Sequence, residues 1–255
     1  MTFYLRIGRD LRSLRGRRRN AIIPPSPPPV PDVFWFDSAT NQYFIPPNRQ
    51  SGDTVTQWQD TLNGANSLSD AGGVTFRPTY LANQQNGLSA LSFNADRLRG
   101  RPYPIPLTQN FTLFVVARFN NINNQQLCET QTGAVTQLAF GISGNRYTYT
   151  AAGGISIAPM VADTQWHVHA MTFNSTLAPS LKIQARVDGV YQILAPSIAP
   201  GTLNISTTDF FAVGSRVNGT LFFSGQIGEI MLYHQALTNS QVTAVENSLL
   251  TKWGI

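Results

Sequence analysis

The chain is patterned in short apolar runs rather than in long amphipathic stretches. From about residue 32 onward, runs of alternating or continuous apolar residues are separated by Gly, Pro, Asn and Asp. This spacing, with no helical periodicity between the runs, indicates the antiparallel strands of a β-sandwich or barrel. The predicted strands are 33–37, 55–59, 90–93, 111–119, 137–143, 146–150, 166–173, 181–187, 210–215 and 225–233.

Turn and helix-capping residues predict one β-hairpin and one helix in addition to the strands. The pair Asp188-Gly189 is typical of a two-residue β-turn. Near the C-terminus, Thr238 is a residue type that caps helices, and apolar residues then recur at helical spacing through Lys252. These apolar residues are Val242, Val245, Leu249 and Leu250.

Three segments differ sharply in composition. Residues 1–23 form an arginine-rich arm, residues 24–31 are mostly proline, and residues 32–255 form the body. The proline composition predicts an extended polyproline II linker between arm and body. The arginines of the arm are Arg6, Arg9, Arg12, Arg15, Arg17, Arg18 and Arg19.

The net positive charge of the chain lies in the arm. The chain has a net charge of +5, but residues 1–20 carry seven arginines against Asp10, whereas the other residues hold eleven basic and twelve acidic groups. Phosphate binding needs clustered cations, so the body is not expected to bind nucleic acid.

No apolar run approaches the roughly 20 residues of a membrane span, and no signal peptide is expected. The lone Cys128 fits folding in a reducing cytoplasm.

Several motifs, in order, resemble the bacterial and phage laminin G-like group of the concanavalin A-like jelly rolls. They are VFWFD (33–37), VTQWQD (55–60), RPTY (77–80), NGLSALSF (86–93), GQIGEIMLY (225–233), ALT (236–238) and KWGI (252–255). The resemblance spans about 33–255. It implies an all-β, concanavalin A-like jelly-roll β-sandwich with a short C-terminal helix, here preceded by an extended N-terminal arm. It does not fix a function, because this fold hosts lectins, hydrolases and structural modules.

Catalytic and metal chemistry finds little support. The resemblance to glycosidases implies closely spaced carboxylates, whereas Glu229 is the only acid in its strand and is expected to satisfy backbone or Arg donors at a sheet edge. His167 and His169 share one strand face, but His234 is the only other histidine, so we expect a structural pair. The sequence therefore predicts no catalytic residue, no metal site and no enzyme activity.

Two ligand hypotheses remain. The resemblance leaves calcium open as a cofactor, without assigning its ligands. The aspartates considered for it are Asp60, Asp70, Asp163 and Asp209. Tyr147 and Tyr149 share one face of a polar strand and are the best candidates for stacking on a sugar ring, although packing in the core is a competing interpretation.

These features predict a non-enzymatic structural or attachment protein of a virion, most simply a phage decoration, fibre or adhesion module. The seven arginines would dock it onto other virion or assembly proteins in a homo- or hetero-oligomeric particle, with no membrane contact. The exposed jelly roll would bind a host-surface glycan. One alternative is a capsid-type jelly roll whose arm binds packaged nucleic acid. Another is a bacterial surface or secreted carbohydrate-binding module.

Overall fold

The computed structural model describes residues 28–45, 47–70 and 76–255. In chain order the strands are β1 (Phe34–Asp37), β2 (Phe44–Ile45), β3 (Gln57–Trp58), β4 (Leu68–Asp70), β5 (Thr79–Gln85), β6 (Leu88–Asn94), β7 (Leu98–Gly100), β8 (Asn110–Phe119), β9 (Gln125–Thr132), β10 (Val135–Ser143), β11 (Arg146–Ala151), β12 (Gly154–Val161), β13 (Trp166–Asn174), β14 (Ile183–Val187), β15 (Val190–Gln192), β16 (Ala195–Ile198), β17 (Phe210–Val213) and β18 (Ser224–Tyr233). One α-helix, α1 (Asn239–Trp253), follows them.

The strands form two antiparallel sheets. The eight-stranded sheet has the order β15-β14-β13-β8-β18-β6-β5, with β1 also pairing with β18. The ten-stranded sheet has the order β16-β12-β11-β10-β9-β17-β7-β4-β3-β2. The predicted all-β sandwich with a C-terminal helix is confirmed.

Aromatic side chains fill the space between the sheets. Phe119 of the eight-stranded sheet lies 6.0 Å from Phe140 and 5.9 Å from Tyr147 of the ten-stranded sheet, measured between ring centroids. Phe223 packs edge-on against Phe119 from the loop before β18. Each such ring stabilises the fold by roughly 1.5–3 kcal/mol through burial alone.

Helix α1 covers the outer face of the eight-stranded sheet and forms a second core there. Its apolar residues pack with Phe114, Val116, Trp166 and Val168 of β8 and β13. Thr238 caps the helix through a capping box with Gln241, as its residue type predicts. Trp253 stacks on Trp166 with centroids 5.7 Å apart, which fixes the end of the helix on the sheet.

Strand β18 departs from the alternation that its sequence suggests. A β-bulge interrupts its pairing with β8 between Ile227 and Glu229. Ile227 therefore faces the inter-sheet core together with Ile230, whereas Glu229 lies on the helix side of the sheet. Strict alternation would place Ile227 and Glu229 on one face, but the bulge inserts one extra residue and puts them on opposite faces.

The hairpin prediction is confirmed. Val187 and Val190 pair across the Asp188-Gly189 turn, and both turn residues have positive φ, 51° and 78°. Strands β5, β9 and β12 were not predicted, and neither were several short strands. None of the helices in the described ranges is long and apolar enough to span a membrane.

The last residues of the proline-rich segment contact the body. The Tyr233 hydroxyl donates to the Pro29 carbonyl oxygen over 2.9 Å, and Pro31 is buried. The segment 28–31 thus runs along the outer face of the eight-stranded sheet, beside α1. The seven arginines of the predicted docking arm lie outside the described residues, as do residues 24–27 of the predicted linker.

Candidate functional site

A polar groove of about 260 Å³ lies on the outer face of the ten-stranded sheet, on the side opposite α1. Core residues such as Phe140 and Tyr149 alternate with the groove residues along β10 and β11. The lining residues are Gln126, Glu129, Ala134, Val135, Thr136, Ala139, Thr150, Gly153, Ile155 and Arg216.

Strand register positions the floor of the groove. Ala139 pairs with Glu129 on one side and with Thr150 on the other, and Thr150 pairs with Ile155. Residues that pair directly across neighbouring antiparallel strands point to the same face of the sheet. The small Ala139 side chain therefore forms the bottom of a trough between larger side chains.

Glu129 and Arg216 form the electrostatic centre of the groove. The carboxylate of Glu129 is 1% exposed and accepts hydrogen bonds from the Val217 backbone N–H (2.8 Å) and the Thr136 hydroxyl (3.0 Å). The Arg216 side chain is 43% exposed, and its Nε lies 3.8 Å from Glu129 Oε1. Glu129 thus holds the loop that presents Arg216 at the groove.

The groove presents polar side chains to a ligand. The buried Nε of Arg216 faces Glu129, whereas the side chain as a whole is partly exposed. A guanidinium carries five N–H donors in a planar fork, and the groove adds the hydroxyl of Thr150 and the side-chain amide of Gln126, whose nitrogen also donates to the Cys128 carbonyl oxygen over 3.1 Å. Val135 and Ile155 provide apolar contact at the rim. Such a mixture suits a hydroxyl-rich ligand.

The groove does not carry the pair of carboxylates that glycoside hydrolysis requires. Glu129 is the only acidic residue among the described residues that line it, and that carboxylate is sealed by its hydrogen bonds. The arrangement can bind a ligand, but it lacks a general acid and a nucleophile in reach of one.

Tyr147 and Tyr149 do not form a sugar-stacking surface. Both side chains are 0% exposed and lie between the sheets, where Tyr149 stacks on Phe140 with centroids 5.3 Å apart. The two rings share one strand face, as predicted, but the sugar-stacking hypothesis is wrong and the competing interpretation of core packing holds. Thr148 and Thr150, rather than the tyrosines, face the solvent side of β11.

His167 and His169 also point into the sandwich. His167 Nδ1 lies 2.6 Å from Asp188 Oδ2, and its Nε2 lies 2.9 Å from Asp163 Oδ1. His169 lies 3.3 Å from the Tyr149 hydroxyl. Within the residues described, no group of three or more His, Cys, Asp or Glu side chains is arranged to hold a metal ion.

Glu229 is not at a sheet edge. It is buried under α1, where its carboxylate accepts from the Trp35 indole (2.6 Å), the Trp253 indole (2.9 Å) and Lys252 Nζ (2.7 Å). Burial, and then the neighbouring Asp37 carboxylate, raise the pKa of Glu229. The expected backbone or Arg donors are thus replaced by two indoles and a lysine, which tie the helix to β1 and β18.

The four aspartates considered for calcium lie apart and have protein partners. Asp60 accepts from the Trp35 backbone N–H, and Asp70 pairs with Arg77 at 2.8 Å. Asp163 contacts His167, and Asp209 accepts from Thr132. The structure does not bring these four carboxylates together.

Sequence reasoning missed the groove. Its central acid lies in β9, where a bulge beside Gly141 breaks the alternation that would have marked a strand. Arg216 lies in a loop with no motif around it. The only local signal is the alternation of Tyr147 and Tyr149 with Thr148 and Thr150, which does not say which set faces the solvent.

Comparison with known proteins places the chain in a family. Residues 103–243, more than half of the chain, match the family model Laminin_G_3, described as the concanavalin A-like lectin/glucanases superfamily. The chain belongs to this superfamily, as its motifs and its two-sheet architecture predict. No curated protein matches the chain.

Solved structures show the same fold at low identity. Trypanosoma rangeli sialidase, in a ligand complex, matches with a TM-score of 0.52 and 13% identity over 85% of this chain and 32% of the sialidase chain. The binding domain of botulinum neurotoxin serotype D/C VPI 5993 matches with a TM-score of 0.49 and 12% identity, over 85% of this chain and 52% of that domain. The chain thus spans about a third of the sialidase and about half of the toxin domain.

Proposed function

We propose that this protein is a non-catalytic carbohydrate-binding module whose recognition site is the groove around Arg216. The observation that carries the proposal is the groove itself, in which the partly exposed Arg216 guanidinium, the Thr150 hydroxyl and the Gln126 amide converge over a trough, while the only carboxylate among its described lining residues is engaged. Sugars present many hydroxyls and weakly polar ring faces. Guanidinium, amide and hydroxyl groups beside Val135 and Ile155 complement both.

Membership of the superfamily supports this proposal. Its description joins lectins with glucanases, and both classes contact carbohydrate. The groove favours the lectin alternative, because a second carboxylate is missing from its described lining. A module that binds without cleaving is the simplest function that fits this chemistry.

We further propose that residues 1–23 attach the module to a larger assembly, such as a phage virion, with the groove facing outward. The arginines of this segment supply forked donors for carboxylates on a partner protein. The segment 28–31 lies against the eight-stranded sheet, on the face opposite the groove. An attachment point on that face leaves the groove accessible.

The groove is tested by glycan-array binding of the full chain and of Arg216→Ala. We expect the wild type to bind at least one glycan, and the variant to lose roughly tenfold or more in affinity, because a charge-assisted hydrogen bond is removed. Lys182→Ala, which removes a cation near β14 on the other sheet, serves as the control and should bind normally. No wild-type binding above background, or unchanged binding by Arg216→Ala, would refute the assignment.

The attachment is tested by pull-down from particles or lysate, comparing the full chain with a chain that begins at Asp32. Loss of association without the N-terminal segment, insensitive to nuclease, is the expected result. Release of the full chain by nuclease alone would instead favour the alternative in which the arginines bind packaged nucleic acid. Equal association of both chains would exclude a docking role for the arginines.

A further inference from the structure

Two arginines lie beside the groove, on the same outer face of the ten-stranded sheet. Arg99 belongs to β7, and Arg101 follows directly after it. Leu98 packs into the inter-sheet core, so the side chains of Arg99 and Arg101 point outward by alternation. Ala212 of β17 pairs with Arg99 on one side and with Glu129 on the other, which connects the two arginines to the centre of the groove.

A single aromatic ring holds both guanidinium groups. Their central carbons lie 4.2 Å (Arg99) and 4.3 Å (Arg101) from the centroid of the Phe210 ring. Phe210 pairs with Gln131 of β9 and lies beside the groove. Stacking uses the flat face of a guanidinium and leaves its N–H groups free to donate at the edge.

The ion pairing of Arg99 and Arg101 bears on the charge of this surface. Within the described residues, Arg99 and Arg101 make no ion pair, and the nearby acids are engaged elsewhere: Asp70 with Arg77, and Asp209 with Thr132. A third cation, Arg97, lies close by, and its pKa is lowered by burial and then by the charge of Arg99. Arg99 and Arg101 therefore place two positive charges on the same ring at this surface.

We propose that the groove takes acidic carbohydrates, with a uronate carboxylate bound by Arg99 and Arg101 while the hydroxyls of the adjoining sugar bind around Arg216. This inference rests on the proposed carbohydrate-binding function and names the class of sugar. A planar carboxylate matches the forked donors of a guanidinium in a bidentate pair. Two guanidiniums fixed on one ring are already ordered, so that binding costs little side-chain entropy.

The test uses three uronate polymers, polygalacturonate, alginate and hyaluronate, each compared with its carboxyl-reduced neutral counterpart. Binding to the full chain is measured by isothermal titration calorimetry. At least one polymer should bind, and its neutral counterpart should bind roughly tenfold or more weakly, because charge-assisted hydrogen bonds are lost. Affinity for the acidic form should fall as NaCl is raised, since exposed ion pairs are screened by salt.

The double variant Arg99→Gln/Arg101→Gln should lose the preference for the acidic form. Arg118→Gln/Lys182→Gln removes the same charge from the eight-stranded sheet and should keep the preference. Circular dichroism checks that both variants are folded. Equal affinity for acidic and neutral forms, an unchanged preference in the first variant, or a salt-independent affinity would overturn the inference.

The two proposals can fail separately. If neutral glycans bind through Arg216 but no uronate polymer is preferred, the proposed function stands and the acidic class is wrong. If no carbohydrate of either kind binds, both proposals fall.

Discussion

Two histidines only two residues apart on β13 have opposite electrostatic surroundings. Burial alone would lower the pKa of His167, but the carboxylates of Asp188 and Asp163 raise it above its usual value. Burial, and then the neighbouring His167, lower the pKa of His169 well below its usual value. The two carboxylates favour a proton on the first ring, whereas burial disfavours one on the second. When protonated, His167 is a cation that links the loop before β13 to the β14–β15 turn.

The contacts of His167 with Asp163 and Asp188 predict that the stability of the protein depends on pH. A folded-state pKa above the unfolded value of about 6.5 gives stabilisation that is complete below that value and is lost as pH rises through the folded-state pKa. In His167→Asn, the deficit in the free energy of unfolding should thus be largest near pH 6 and should shrink at higher pH. At acidic pH we expect a loss of about 1–3 kcal/mol, since two aspartates lose a charged partner. Urea denaturation of the wild type and the variant at several pH values measures the difference in the free energy of unfolding.

His234→Asn is the matched control, because His234 is exposed and makes no side-chain ion pair within the described residues. Its deficit should show no comparable trend with pH. A constant deficit in His167→Asn, or one that grows as pH rises, would contradict the assignment of a charged His167.

The sequence predicts which residues of β11 share a face, but not which face is buried. Tyr147 and Tyr149 were correctly placed on one strand face, because side chains alternate strictly along β11. Period-two alternation of Tyr and Thr cannot decide which set is buried, since tyrosine suits either a core or a wet surface. Contacts with Phe140 on the neighbouring strand β10 and with His169 on the opposite sheet decide it.

At the level of elements, α1 and β18 are fitted to each other around a glycine. A Cβ at Gly228 would lie 2.5 Å from the Trp253 indole. That indole cannot easily move, because it is fully buried, stacks on Trp166 and donates to Glu229. The bulge in β18 and the end of the helix are therefore one packing unit.

Gly228→Ala should destabilise the protein by roughly 1–3 kcal/mol, because the added methyl group overpacks this contact. The free energy of unfolding from urea titration, followed by tryptophan fluorescence, measures the loss. Gly64→Ala is the matched control: the nearest atom to its Cβ lies 3.7 Å away, so its stability should change by less than about 0.5 kcal/mol. Equal stabilities of the two variants would show that Trp253 can move aside.

The strands with long apolar runs and the helix could be predicted, whereas the more polar strands β5, β9 and β12 and several of the shortest strands could not. Strands β8, β13 and β18 carry extended apolar runs, and α1 carries both a cap and a helical repeat. Strands such as β2 and β7 have only two or three residues, and pairing with neighbours far away in sequence stabilises them. Their local sequence holds too little apolar pattern to distinguish them from loops.

On the scale of the whole molecule, the sandwich separates two surfaces. One outer face carries α1 and the segment 28–31, and the other carries the groove with Arg99 and Arg101. The spacing of the apolar runs and the order of the motifs predicted the sandwich. The groove could not be predicted, because β17 lies next to β9 and so brings Arg216 beside Glu129 from 87 positions away.

This separation predicts that the direction of attachment controls binding. Cys128 is buried and burial raises the pKa of its thiol, so a maleimide should react only with an introduced cysteine. Biotin placed at Thr150→Cys and captured on a streptavidin surface should block glycan binding. Biotin at Ser248→Cys, on the exposed side of α1, should leave it intact. Biolayer interferometry compares the two, and equal binding would place the ligand outside the groove.

The position of the segment 28–31 also bears on avidity. If copies are anchored through the preceding residues, as proposed, every copy presents its groove in the same direction. A polymeric glycan that engages one groove then meets the next at a raised effective concentration, and avidity can exceed the single-site affinity by about 10²–10⁴-fold. Each individual groove can therefore remain weak and quickly reversible while the array as a whole holds its ligand firmly.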